Sequence, residues 1–191
     1  MGRKSTFLDR DIFEAAGLQI AKDGEFRIQR LVEQTGVSTG SLYHRYGSRE
    51  GLIASAWVDA LEAFSANLLP ELMAEDSKAG ERAALVTPTF ARRERAKAII
   101  LASGRQSQFL TGEASAELRA RAQTINDNIA KAVAAFSKRE TVTLEAARYG
   151  TMAFPLAVVM TYLPQKRVPK SADDFILAAY RSAMTTGRRA K

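Results

Sequence analysis

The chain has 191 residues, 46% of them hydrophobic and 26% charged, which is ordinary for a soluble globular protein of one domain or two small ones. Its 28 Lys and Arg against 21 Asp and Glu leave a formal charge of +7, which suits an anionic partner: nucleic acid, an acidic membrane surface or an anionic ligand. The absence of cysteine excludes thiolate zinc sites, thiol nucleophiles and redox pairs, and a single histidine excludes two-histidine zinc sites.

A helical period runs through the whole sequence, with no β-type alternation, so the predicted class is all-α with about nine helices. The first helix runs from about Phe7 to Lys22, with Ile12, Ala15, Ala16 and Ile20 on one face. Thr6 and Asp9 have capping-box spacing, and Asp23-Gly24 ends the helix. The second runs from Arg27 to Thr35, with Ile28, Leu31 and Val32 inward, and Gly36 supplies its left-handed terminus. Ser38 then caps a very short third helix, Thr39 to about Arg45, which stops near Gly47. Ser48 caps the long fourth, Arg49 to about Met73, with Leu52, Ile53, Trp57, Leu61 and Leu68 inward and Pro70 placed to bend or end it.

Glu75 to Thr89 reads as a polar connection because of Gly80 and Pro88, with room for a short helix. Arg92 to Ser103 reads as one helix with Ile99-Ile100-Leu101 at its core, and Gln106 to Leu110 leads into a loop at Thr111-Gly112. Glu113 to Lys138 is a long amphipathic helix. Thr143 to Leu163 is another, apolar on nearly all sides from Met152 onward, but that run is broken by Pro155 and shorter than the ~18–20 residues of a spanning helix. A Pro- and Lys-rich loop, a last helix over about Ala172 to Met184 and a basic tail complete the chain. The natural division is a three-helix unit at 1–47 and a larger bundle at 48–191, joined through the helix at 49–73.

Three short helices with a tight turn before the third describe a helix-turn-helix, which lays its last helix in the DNA major groove. The third helix carries suitable groups. Thr39, Gly40, Ser41 and His44 are small or polar and can approach base edges, while Tyr43, Arg45 and Arg49 can reach phosphates. The helix starts after Ser38 and Ser48 offer free N–H groups to anions. Leu42 and Tyr46 are the inward anchors.

The stretch Ile28 to Leu52, IQRLVEQTGVSTGSLYHRYGSREGL, resembles the DNA-binding module of the tetracycline-repressor (TetR) family of transcription regulators. The matching features are Ala15-Ala16, Thr35-Gly36-Val37-Ser38, Leu42-Tyr43, Tyr46 and Ser48-Arg49, within residues 7–60. The resemblance implies base contacts from Thr39, Gly40, Ser41 and His44, and phosphate contacts from Arg27, Ser38, Tyr43, Arg45 and Arg49. Three departures stand out: the loop from Gly24 to Leu31 is about two residues shorter than usual, Arg27 occupies a place where a Ser or Thr cap is usual, and Gly51 replaces a Glu or Ala, which weakens the cap of the fourth helix.

Phe64, Phe90, Phe109, Phe136, Tyr149, Met152 and Phe154 read first as core. The resemblance implies a small-molecule effector pocket in this half, for which Phe64, Phe90, Phe109, Tyr149 and Met152 are the candidate walls. It also implies a two-fold dimer interface from the last two helices, through Leu156, Val159, Met160 and Leu163 with Phe175, Ile176, Ala179, Tyr180 and Ala183. The alternative for those faces is an internal core. The expected function is a homodimeric, one-component regulator, foremost a repressor, that binds a double-stranded pseudo-palindromic operator and is released by an unknown small molecule. A non-sequence-specific architectural DNA-binding protein is the alternative. One histidine, no cysteine, no Gly-rich phosphate loop and no metal-ligand spacing speak against an enzyme, and no cofactor is expected. The start MGRKSTFLDRD has no apolar signal region, so a cytoplasmic, membrane-free setting is expected. Charge does not carry the DNA reading. Residues 1–50 hold eight Lys and Arg against seven Asp and Glu, and the rest hold twenty against fourteen, with Arg92, Arg93, Arg95, Lys97 and Arg105 close together. That cluster reads as a solvated face, or as an attraction for an acidic effector or DNA.

Overall fold

Left-handed Gly24 and Gly36 end the first two helical segments of the chain. The structure, a computed structural model, describes residues 7–104, 106–111 and 114–188. Thr6 of the expected capping box, Arg105, Gly112, Glu113 and the last three residues of the basic tail lie outside the described residues. The fold is all-α. Its elements are α1 (Asp9–Asp23), α2 (Ile28–Thr35), α3 (Thr39–Tyr46), α4 (Arg49–Met73), α5 (Ala79–Arg93), α6 (Arg95–Ala102), α7 (Gln106–Phe109), α8 (Ala116–Arg139), α9 (Leu144–Arg148), α10 (Phe154–Met160) and α11 (Ala172–Thr186). A π-helical turn, Tyr149–Ala153, joins α9 to α10, so the expected single helix over this stretch is one run with a widened turn. That turn lies just before Pro155, which lacks the N–H that would continue regular α-helical bonding.

The boundaries differ most where proline and glycine suggested breaks. Most of Glu75 to Thr89 belongs to a full helix, α5, which runs on to Arg93, with Gly80 in its first turn and Pro88 inside it. Its buried face, which includes Ala83, Ala84, Val86, Phe90 and Ala91, outweighs the missing proline hydrogen bond. The break falls instead at Glu94, which leaves the helical region at φ −115° and ψ 53°, so the expected helix from Arg92 is split between α5 and α6. Pro70 does not end α4, which continues to Met73. That helix is the one among the described residues long and apolar enough to cross a membrane, and half of its most apolar window is buried within the protein.

The chain forms two compact units, 1–61 with 94–122, and 62–93 with 123–191. They follow a different line from the sequence division at 47/48: the boundary runs through α4 and α8, and α6 and α7 join the N-terminal helices. In the first unit α1 packs on α2 and, most extensively, on α6. Gly17 makes that crossing possible, because a Cβ there would lie 2.6 Å from the Ala96 carbonyl oxygen. Ile12, Ala16, Leu31, Leu42, Leu52, Ile99 and Ile100 fill its interior. In the second unit α5 packs on the π turn, α10 and α11. Leu68, Leu72, Phe136, Val159 and Ile176 are buried there.

The second unit also holds a buried ion pair. Arg92 donates through Nη1 and Nη2 to Asp173 Oδ1, both at 3.0 Å, and to the Pro169 carbonyl. Asp173 is 6% exposed and is also held by Lys170 at 2.7 Å. Arg92 is therefore a structural cation and not part of a solvated basic face. Lys97, likewise, pairs with Asp59 at 3.0 Å in the first unit.

Candidate nucleic-acid interface

The turn between α2 and α3 is set by three residues. Gly36, at φ 69°, takes the left-handed conformation that ends α2, and its N–H donates to the Val32 carbonyl at 2.8 Å. Val37 turns inward and is buried. Ser38 is extended and accepts the Ser41 N–H on its hydroxyl at 3.1 Å, the N-cap expected from sequence. Leu42 then anchors α3 in the interior. Tyr46 lies with its ring 5.8 Å from Phe13 and donates its hydroxyl to Asp9. Burial and that carboxylate hold the Tyr46 hydroxyl well above the ordinary tyrosine range.

With α3 held from one side, its other side is open. Thr39, Gly40, Tyr43 and His44 are all exposed, and a Cβ at Gly40 would meet nothing within 4 Å. Ser41 is half-buried, and its hydroxyl lies 2.9 Å from the Ser38 hydroxyl. The four residues expected to read bases thus share one short helix: three are free of the core, and Ser41 faces its own cap. Tyr43, 43% exposed, extends from the same helix.

The cations expected at phosphates are held differently. Arg45 donates to the Phe7 carbonyl at 2.9 Å, stacks over the Phe7 ring at 4.7 Å and lies 3.3 Å from Asp9. Arg49 donates twice to the Phe26 carbonyl, from Nη2 at 2.8 Å and Nε at 3.2 Å, and pairs with Glu50 at 3.3 Å. Arg27 is exposed and pairs with Glu25. Each guanidinium is oriented by the chain itself, yet all three stay accessible, their side chains between 44% and 62% exposed. Ser48 receives the Gly51 N–H at 2.9 Å, so Gly51 leaves the α4 cap intact. Gly51 fits for a local reason, since a Cβ there would sit 2.1 Å from the Tyr46 carbonyl oxygen.

Sequence reasoning missed Gln19. It sits on α1, 2% exposed, and its amide accepts the Arg27 N–H at 3.1 Å while donating to Gln34 at 3.0 Å. One buried side chain thereby satisfies the uncapped start of α2 and ties α1 to both ends of that helix. A glutamine inside an otherwise apolar helical stripe was the available signal.

The expected effector walls are distributed over both units. Phe64 and Phe90 form an edge-to-face pair at 5.5 Å in the second unit. Phe109 belongs to the first unit and stacks on Trp57 at 6.1 Å. Tyr149 is half exposed and stacks on Phe154 at 5.7 Å, and Met152 is half-buried. The expected interface set lies in the second unit and divides by burial. Val159, Leu163, Ile176 and Tyr180 are buried in their own chain, and Ala179 and Ala183 are half-buried. Leu156, Met160 and Phe175 remain exposed, with Phe175 at 69%.

Among the described residues no cluster of three or more His, Asp or Glu side chains is placed to hold a metal ion. No protein-family model matches the chain, and no curated protein matches it.

Proposed function

We propose that the protein is a sequence-specific DNA-binding regulator of the TetR type, acting as a homodimeric repressor that a small molecule releases. The observation that carries this reading is α3: a capped, eight-residue helix after a left-handed glycine turn, with Thr39, Gly40, Tyr43 and His44 on its open side. A short helix of small polar side chains is poor material for a core and good material for a groove. The resemblance of residues 7–60 to the TetR module supports the same conclusion. Exposed Leu156, Met160 and Phe175 on the packed helices α10 and α11 support a dimer, because large apolar side chains exposed on two adjoining helices gain burial from a second copy. Two copies would bring two α3 helices onto half-sites about one DNA turn (~34 Å) apart.

The test is binding of the purified chain to its own upstream DNA against random duplex, across a salt series. A sequence-specific dimer keeps a preference of roughly a thousandfold or more at physiological salt. Loss of all preference, with affinity falling only as salt rises, identifies an architectural binder instead. Tyr43→Ala should weaken every sequence alike, and Thr39→Ala should change which base is preferred at one position. A monomer with no preference refutes the proposal.

A further inference from the structure

The first unit contains a cleft of about 380 Å³ lined by the end of α1, the loop between α1 and α2, the start of α4, and α7 with Ser103 and Thr111 beside it. Its walls include apolar Phe26, Ile53 and Phe109 and the charged pair Arg49 and Glu50, with Thr111 at one edge. The size is that of a small-molecule site. Two further observations mark the wall around Phe109 as incomplete. The Thr111 hydroxyl is shielded from water and has no hydrogen-bond partner, and neither has the indole N–H of Trp57, whose ring stacks on Phe109. Buried polar atoms left unmatched are rare in finished interiors.

The charges specify what that occupant is. Arg49 has five N–H groups, and its donations to the Phe26 carbonyl and Glu50 use three, which leaves donors for a carboxylate. Glu50, with Glu25 also on the wall, supplies negative charge for an ammonium. Phe26, Ile53 and Phe109 offer a contact for an apolar tail. We propose that this cleft is a binding site for a small zwitterion with an apolar or aromatic tail, an amino acid in its simplest form. Arg49 takes the carboxylate, Glu50 the ammonium, and the Phe26–Ile53–Phe109 wall the tail. The site stands independently of the DNA reading, because its test contains no DNA.

Trp57 is the only tryptophan in the chain and stacks directly on the cleft wall, so its emission reports occupancy. The probes are phenylalanine, 3-phenylpropionate and 2-phenylethylamine, which share a tail and differ only in their charged groups. Phenylalanine should give a saturable change in emission and bind roughly tenfold or more tighter than either relative, the scale of one charged hydrogen bond. Arg49→Gln should weaken phenylalanine and phenylpropionate by about that factor and leave phenylethylamine unchanged. Glu50→Gln should weaken phenylalanine and phenylethylamine and leave phenylpropionate unchanged. The comparison of the three probes on the unaltered chain needs no variant, so misfolding of either variant leaves the test standing. No saturable response to phenylalanine, or equal affinity for all three probes, overturns the proposal.

Discussion

Replacing Gly17 with alanine isolates the contact that joins α1 to α6. In a helix interior the change from glycine to alanine normally stabilises by up to ~1 kcal/mol through propensity alone. At position 17 the added Cβ would lie 2.6 Å from the Ala96 carbonyl oxygen and 2.9 Å from the Ala96 Cβ. Ordinary contact is about 3.5–4.0 Å, so one helix must move by about 1 Å, and neither neighbouring atom is the end of a flexible side chain. Overpacking of this kind costs ~1–3 kcal/mol. The expected net effect is a loss of about 1 kcal/mol, or a fall in Tm of about 2–4 °C at this chain length. Gly40→Ala is the control. It sits in α3 with nothing within 4 Å of its Cβ and should gain stability from propensity. Urea and thermal unfolding of both variants give the comparison. If Gly17→Ala stabilises as much as Gly40→Ala, the close crossing of α1 and α6 is not what the structure describes.

Three further outcomes are expected. Asp173→Ala should cost about 3–5 kcal/mol in urea unfolding, because it strands the Arg92 guanidinium, and replacing both residues with apolar ones should recover most of the loss. Gln19→Leu should lower stability by about 1–3 kcal/mol by leaving the Arg27 N–H unmatched, and tryptic cleavage at Arg27 or Arg30 should quicken. Burial first, and then Glu140 and Glu81, push the Tyr180 hydroxyl up to about 12. An unfolded tyrosine ionises near 10, so stability is fully present below about pH 10 and is lost as pH rises through about 12. Tyr180→Phe should flatten that alkaline loss, and an unchanged alkaline limb in unfolding experiments would refute the assignment.

How much was legible depended on whether a structural choice was local. The α2–α3 turn was readable because Gly36, Val37 and Ser38 each act within four residues of themselves. The class of fold was readable for the same reason. Helix α5 was not, because Pro88 and Gly80 oppose a helix locally and the buried face that overrides them is assembled from remote residues. The break at Glu94 carries no glycine or proline to announce it. On α10 and α11 the apolar pattern was visible, but one helix shows apolar residues to two places at once. Val159 and Ile176 face inward while Leu156 and Phe175 face out, and period alone does not separate them. The stacking of Phe109 on Trp57 was not legible, because the two are 52 positions apart in the chain.

The open side of α3 has a consequence for descent. Leu42 is its one buried residue, and Tyr46 and Ser38 secure its ends, so the fold asks little of positions 39, 40, 43 and 44. Mutations there arrive without a folding penalty to compensate. A gene duplicate could therefore acquire a new contact surface by single substitutions, each copy remaining folded at every step, because the turn and cap beside it hold the helix in place.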